Sequence, residues 1–379
     1  MAIPTSLYIH IPWCIKKCPY CDFNSHKKTS DVDEAKYISR LIDDFANDLK
    51  SVPRTQLYSI FVGGGTPSLF SPSAYDELFS QLAKMIDIPK DIEITLEANP
   101  GAVDSGRFRE YRALGINRLS IGVQSFDNRF LKTLGRAHDA SMARSAIDMA
   151  QDAGFSRINI DLMYGLPGQS VTDALSDVKL AIDCQTEHLS WYELTIEPNT
   201  VFYKKPPVQP HEEVFDDMEK QGRALLASES FDRYEISAYS KVDSQSQHNL
   251  NYWLFGDYFG IGAGAHAKLT LQPDQICRRA KIRQPNSYID AKSGFVAEHK
   301  IISSPNDRLF EFMLNASRLL TPVSFELFTE RTGLPSSTLM SGLHKAMSLG
   351  LVHIEEKQWQ ITTKGQRFNN ELIKQFLLE

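Results

Sequence analysis

The chain has 379 residues, of which 42% are hydrophobic and 23% charged, with a formal net charge of −6. That length allows two domains, or one large barrel with an appendage, and an ample core. The mild acidity argues against a non-specific nucleic-acid binder, and no run approaches the ~18 continuous apolar residues of a membrane-spanning helix.

The N-terminal MAIPTS lacks the charged start and long apolar core of a secretory signal. A short apolar run follows, LYIHI at 7–11, and leads directly into CIKKCPYCDF at 14–23. Cys14, Cys18 and Cys21 have the spacing C-x₃-C-x₂-C. Three thiols on one tight loop suit an iron–sulfur cluster, and being one short of the usual four ligands they leave one iron open. Clustered cysteines of this kind fit metal binding in a reducing cytoplasm better than a disulfide framework. Cys184 and Cys277 stand alone and read as small buried side chains.

Five more apolar, β-rich runs follow at 57–62, 92–98, 118–123, 157–162 and 188–195. Amphipathic stretches lie among them at 33–50, 73–86 and 141–154. Strand and helix alternating in this way mark parallel βαβ units. Six such units predict a partial or full (β/α) barrel, with an open doubly wound sheet as the alternative. Each run ends in polar or glycine-rich residues: the cysteine loop, GGGTPS (63–68), EANP (97–100), VQSF (123–126), DLMYGLPGQ (161–169) and ELTIEPNT (193–200). Ends of parallel strands converge on one mouth, so these segments predict a single active centre. Glycines in GGGTP let backbone approach a ligand closely.

Beyond Thr200 the alternation lapses. A proline-rich stretch at 204–210 precedes a helical pattern at 212–228, then YEISAYS (234–240) and an aromatic-rich segment, HNLNYWLFGDYFGIGAGAH (248–266). From about 306 three helical patterns and two alternating runs about a turn resemble a winged helix. The segment 336–349, in the place of a recognition helix, carries no run of lysine and arginine, which favours protein docking or plain structure over DNA. The expected organisation is a barrel core at 1–230, an extension at 231–300 and a winged-helix-like domain at 301–379.

Taken together, YIHIPWCIKKCPYCDF, GGGTPS, EANP, GVQSF, LGRAH (134–138) and DLMYGLPGQ resemble the radical S-adenosylmethionine superfamily, within it the oxygen-independent coproporphyrinogen III oxidase-like group. The resemblance runs in order over about 6–200 and more loosely beyond. It implies a 4Fe–4S cluster on Cys14, Cys18 and Cys21, with S-adenosylmethionine chelating the open iron. It also implies cofactor contacts from Tyr8, Tyr20, Gly64, Gly65 and Thr66. Glu97 would pair with a cationic or hydroxyl group, Gln124 would hydrogen-bond, Arg136 would face a carboxylate and Asp161 would accept from a ribose. His10 is expected to face away from Tyr8 and to be structural.

Two features depart from the oxidase pattern. That pattern continues with a cysteine where this chain has Phe23, and it carries an N-terminal extension where this chain begins about six residues before its first strand. Both match instead the HemW-type group of haem chaperones, whose further mark HNxxYW occurs here as His248, Asn249, Tyr252 and Trp253. The resemblance implies haem as cargo, with His248 as a candidate axial ligand beside an aromatic face. It also implies haem-acceptor proteins, respiratory ones among them, and an electron donor for the cluster. The competing expectations are a coproporphyrinogen-decarboxylating enzyme and a winged-helix regulator with a sensory cluster, which predicts salt-dependent DNA binding.

Overall fold

The computed structural model describes residues 3–28, 32–52, 54 and 56–377. Six strands lie where the apolar runs do: β1 Thr5–Ile11, β2 Ser59–Gly64, β3 Glu93–Ala98, β4 Arg118–Gln124, β5 Arg157–Tyr164 and β6 His188–Glu193. Each pairs in parallel with the next. Parallel pairing needs long crossovers, and α1 Glu34–Ser51, α2 Pro72–Leu82, α3 Ser105–Ala113, α4 Ala140–Asp152 and α5 Val171–Asp183 supply them. Their starts are written in the sequence. Asp33, Ser71, Asp104, Asp139 and Ser170 each accept a hydrogen bond from a first-turn N–H, satisfying donors that a helix leaves orphaned.

The strands sort their side chains by alternation. Leu7, Ile9 and Ile11 on β1, and Leu119, Ile121 and Val123 on β4, are fully buried and join one hydrophobic cluster with Leu41 and Phe45 of α1. The other set is largely polar: Ser6, Tyr8 and His10 on β1; Glu93, Thr95 and Glu97 on β3; Ser120 and Gln124 on β4; Asn159 and Asp161 on β5. Tyr8 and His10, two residues apart, therefore share a face, contrary to expectation, and the Tyr8 hydroxyl lies 2.9 Å from His10 Nδ1.

The region after 200 enlarges the same sheet. Helix α6, Glu212–Ser228, leads to β7 Asp232–Arg233 and β8 Ala238–Ser240, with β8 antiparallel to β6. The aromatic-rich segment holds helix α7, Gln247–Trp253, and β9, Asp257–Ile261, which pairs in parallel with β1. Three antiparallel strands continue from it: β10 His266–Gln272, β11 Gln275–Lys281 and β12 Val296–Ile302. The result is a twelve-stranded sheet running in open order from β12 to β7, a partial rather than a full barrel. The sequence hid β9 because glycine interrupts it. A Cβ at Gly260 would come within 1.9 Å of the His266 carbonyl oxygen, so close passage of β10 demands glycine there.

Ion pairs seal this added edge. Asp257 accepts from Lys268 (3.1 Å), Arg54 (2.7 Å) and the Thr270 N–H (2.9 Å). Lys281 donates to Asp44 (2.5 Å) and Asp48 (2.8 Å), both on α1. The remaining chain forms α8 Pro305–Ala316, α9 Phe325–Thr332, α10 Ser337–Ser348, two short helices at Thr363–Arg367 and Asn369–Lys374, and a small sheet of Val323–Ser324, Val352–Ile354 and Gln358–Ile361, around a second apolar cluster that Phe255, Ile276 and Ile302 of the sheet extension also join. Among the described residues no helix is long and apolar enough to cross a membrane.

Removing one member of a buried ion pair strands the other. Asp257→Asn is expected to lower unfolding free energy by about 3–5 kcal/mol, read from urea denaturation. Lys36→Ala, which breaks the exposed pair with Asp290, is expected to change it by less than about 1 kcal/mol.

Candidate functional site

The C-terminal ends of β1 to β6 surround a cavity of about 430 Å³ lined by Cys14, Cys18, Cys21, Tyr20, Gly64, Gly65, Thr66, Glu97, Gln124, Arg136 and Asp161. All the candidates drawn from strand ends except Tyr8 meet there. Tyr8 sits a layer deeper, stacked on Phe61, itself a lining residue (ring centroids 6.3 Å apart).

The cysteine loop is clasped at its neck. Trp13–Cys14 pairs with His26–Lys27, and His26 N–H donates to the Pro12 carbonyl at 2.7 Å. Asn24 ties the loop to the sheet extension through the Ala263 and Arg283 carbonyls (2.9 and 2.8 Å). The GGG turn passes just below. A Cβ at Gly64, where φ is +115°, would fall 2.5 Å from the His10 ring, and one at Gly65 would fall 2.6 Å from the Trp13 carbonyl oxygen. Glycine is thus what lets β2 exit beneath the loop.

All three thiols are free of disulfides. Burial pushes Cys14 and Cys21 up, with the Thr66 and Ser25 hydroxyls respectively opposing it; bound iron would override this and take them as thiolates. Among the described residues no three His, Cys, Asp or Glu groups gather around a single-ion position. The donor set, three sulfurs facing a cavity rich in polar groups, fits a multi-iron cluster with an additional ligand from a small polar molecule. Phe23, where a further cysteine was the alternative, lies at the mouth and is 57% exposed.

Below the loop is a polar layer. Glu97 accepts from the Gly64 N–H at 2.9 Å. Sunk beneath the surface and facing the charge of Asp161, its carboxyl is pushed up to about 8, despite the opposing Gly64 N–H. A ligand ammonium arriving there would draw off that proton. Asp161 is also raised, by burial, against hydrogen bonds from Asn159 (2.8 Å) and Ser120 (3.1 Å). Gln124 has φ +72°, a left-handed conformation costing about 1 kcal/mol, at a register shift in the β4–β5 pairing. Its side-chain oxygen accepts from the Tyr192 hydroxyl at 2.8 Å. Arg136 donates to the Gly122 carbonyl (2.6 Å), Cys18 Sγ (3.7 Å) and the Tyr20 hydroxyl (3.4 Å), so the side chain expected to face a carboxylate reaches the cysteine loop itself.

Several lining residues had no motif to announce them: Ser120, Asn159, Ser190 and Tyr192. The available signal was alternation, since polar side chains recur at every second position of β4, β5 and β6. Asn159 turns Asp161 into the end of a directed chain. Its amide nitrogen donates to Asp161, so its oxygen must accept from His188 Nδ1 (2.6 Å), leaving Nε2 to accept from the Tyr234 hydroxyl (2.9 Å).

The HNLNYW residues lie at the opposite, N-terminal ends of the strands. Glu93, the first residue of β3, accepts from the N–H groups of Gln247 (3.1 Å) and His248 (3.0 Å) and pairs with Arg157 (2.9 Å). His248 is 1% exposed. Its Nδ1 lies 2.9 Å from Ser59 Oγ, its Nε2 2.9 Å from the Tyr252 hydroxyl, and its ring 5.1 Å from that of Phe61. Of the four candidates only Asn249 lines the cavity, while Trp253 packs under the Arg318 guanidinium at 4.4 Å. The expected aromatic face is instead a floor. Both imidazole nitrogens of His248 are occupied.

Residues 8–181 match the Radical SAM superfamily and residues 303–368 the HemN C-terminal domain. The chain is 46% identical to the heme chaperone HemW of Haemophilus influenzae, covering 99% of this chain and 98% of that protein. It is 44% identical to the heme chaperone HemW of Escherichia coli, covering 99% of each. Coproporphyrinogen III oxidase (HemN) from Escherichia coli superposes with a TM-score of 0.83 over 99% of this chain and 90% of that one, at 21% identity, and so shares the fold.

Two outcomes are expected from the polar layer. Glu97 is protonated in the folded chain up to about pH 8 but ionises near the ordinary carboxyl value of about 4.3 when unfolded. The native state therefore binds the extra proton between those values, and its advantage, full below about 4.3, is lost by about 8. Glu97→Gln should gain stability relative to the parent between pH 5 and pH 8 in urea unfolding. Asn159→Ala, which removes one of the two side-chain donors that aim Asp161, should weaken S-adenosylmethionine binding about tenfold in equilibrium dialysis, consistent with about 1.4 kcal/mol for a lost charge-assisted contact.

Proposed function

This chain belongs to the HemW family of radical SAM proteins, and from that premise we propose that it is a haem chaperone, binding haem and delivering it to acceptor proteins. One observation carries the reading: a single cavity gathers the three cysteines with GGT, Glu97, Gln124, Arg136 and Asp161, in a chain that runs the full length of HemW chaperones.

Cys14, Cys18 and Cys21 would hold a 4Fe–4S cluster, which supplies low-potential electron transfer to a chelated S-adenosylmethionine. Around it the chain's own groups do the positioning. Backbone at Gly64 and Gly65 allows close approach, and the Thr66 hydroxyl can donate or accept. Glu97 would take the ammonium of the methionine end. Asp161, aimed by Asn159, Ser120 and the His188–Tyr234 chain, would accept from ribose hydroxyls. Tyr20 closes one wall against Arg136, and Tyr8 supports Phe61 from below. Haem is the cargo. Ligation of its iron by His248, with Asn249, Tyr252 and Trp253 beside it, would require α7 to give up its bonds to Ser59 and Glu93 and swing out of the floor.

The alternative, oxidative decarboxylation of coproporphyrinogen, rests on the scaffold shared with the oxidase, which at 21% identity speaks for fold alone. Phe23 supplies no thiol at the mouth where the oxidase pattern has one.

Anaerobically reconstituted protein titrated with haemin is expected to show a saturable Soret change and to pass haem to an apo-acceptor. Cys14→Ala, Cys18→Ala and Cys21→Ala should each lose the cluster's visible absorption. An absent haem response in the parent chain, or rapid conversion of coproporphyrinogen to protoporphyrinogen with reductant and S-adenosylmethionine, would overturn the chaperone reading. An unchanged haem titration of His248→Ala would remove His248 as the ligand.

A further inference from the structure

We propose that Arg136 tunes the reduction potential of the iron–sulfur group held by the cysteine loop, acting through Cys18. The inference rests on the reading that Cys14, Cys18 and Cys21 bind a cluster, and it concerns what makes those three positions unequal.

Each thiol has a polar neighbour, but the neighbours differ in kind. Beside Cys14 it is the Thr66 hydroxyl that opposes the upward push of burial. Cys21 Sγ lies 3.6 Å from Ser25 Oγ. Cys18 alone of the three receives a guanidinium, with Arg136 Nη1 at 3.7 Å from its sulfur. Two thiols thus face neutral dipoles and one faces a permanent cation. Lys17, also on the loop, is turned elsewhere and donates to the Phe23 and Ser25 carbonyls (3.2 and 3.0 Å).

The fold holds this cation in place. Nη2 donates to the Gly122 carbonyl at 2.6 Å, which fixes the guanidinium plane to β4. Gly135, with φ +68°, brings its turn against the loop so tightly that a Cβ would meet Pro19 Cδ at 2.8 Å. The Nε nitrogen is buried and has no hydrogen-bond partner.

Reduction adds one electron, supplied by a low-potential one-electron donor, and so adds one negative charge to the cluster. A cation hydrogen-bonded to a cluster thiolate stabilises the more negative state more, because attraction grows with charge and is weakly screened where water is sparse. The midpoint potential therefore rises. Hydroxyl dipoles act in the same direction but more weakly. Arg136 is on this account a tuning residue that works through a ligand.

The test is an EPR-monitored redox titration, with dithionite as electron donor, of the anaerobically reconstituted full chain. Arg136→Gln should move the midpoint to more negative potential by more than Ser25→Ala does. Arg136→Lys keeps the cation but lacks the planar fork that holds the Gly122 carbonyl and Cys18 at once, so it should shift in the same direction by less, and it carries the test if Arg136→Gln assembles no cluster. An Arg136 variant with the parent midpoint, or a shift from Ser25→Ala at least as large, would overturn the inference while leaving the cluster itself standing. A parent chain that assembles no four-iron cluster overturns both, and the haem titration reports separately on the chaperone reading.

Discussion

Burial of a polar surface inside a parallel sheet is the constraint from which the rest of the molecule follows. Strands covered on both faces ordinarily read as continuous apolar runs. Here only the helix-facing half is apolar, and the inner half carries carboxyls, amides and hydroxyls. Every one of those groups needs a partner or a ligand. The Glu97 carboxyl is held by one backbone N–H and raised to about 8, and the buried Thr95 hydroxyl has no partner. Asp161, with two side-chain donors, is better served. The carboxyls of the lumen are thus left hungriest near the cysteine loop, which is where a charged small molecule would complete them.

Closing the far end of that lumen is the task of α7. Its first backbone N–H groups fall on the Glu93 carboxylate, which is itself paired with Arg157. Asn251 donates to Ser6 Oγ and to the Asp257 carbonyl, both at 2.9 Å. One short helix thereby touches the starts of β1, β2 and β3 and the edge of β9. Through Trp253 and Arg318 it also meets the C-terminal helices. The HNLNYW pattern thus has a packing logic of its own. Haem ligation by His248 would involve opening this floor, which would link cargo binding to the cofactor cavity through Phe61 and Asn249.

Much of this was legible beforehand because local rules governed it. The six parallel strands, three of the crossover helices and the 212–228 helix follow from alternation and 3.6-residue periodicity. The cysteine loop and the glycine turn announced themselves by spacing. What escaped were features defined by distant partners. Strand β9 is too short and glycine-broken to look like a strand until β10 passes over Gly260. The shared face of Tyr8 and His10, by contrast, follows from local alternation alone. Asn159 and His188 look like ordinary strand residues until Tyr234, far along the chain, completes their hydrogen bonds.

By itself the sequence determined the chemistry on offer: three thiols one short of a cluster's complement, backbone stripped of side chains beneath them, and a family of strand-end donors and acceptors. Those are properties of residue type and spacing, which do not depend on the remainder of the fold. Only the tertiary structure decided which groups are available. It seats His248 between Ser59 and Tyr252, turns Arg136 onto Cys18, and leaves Glu97 waiting for a cation. The physical reason is that burial and hydrogen-bond occupancy are set by residues tens to hundreds of positions away, brought together when the sheet forms.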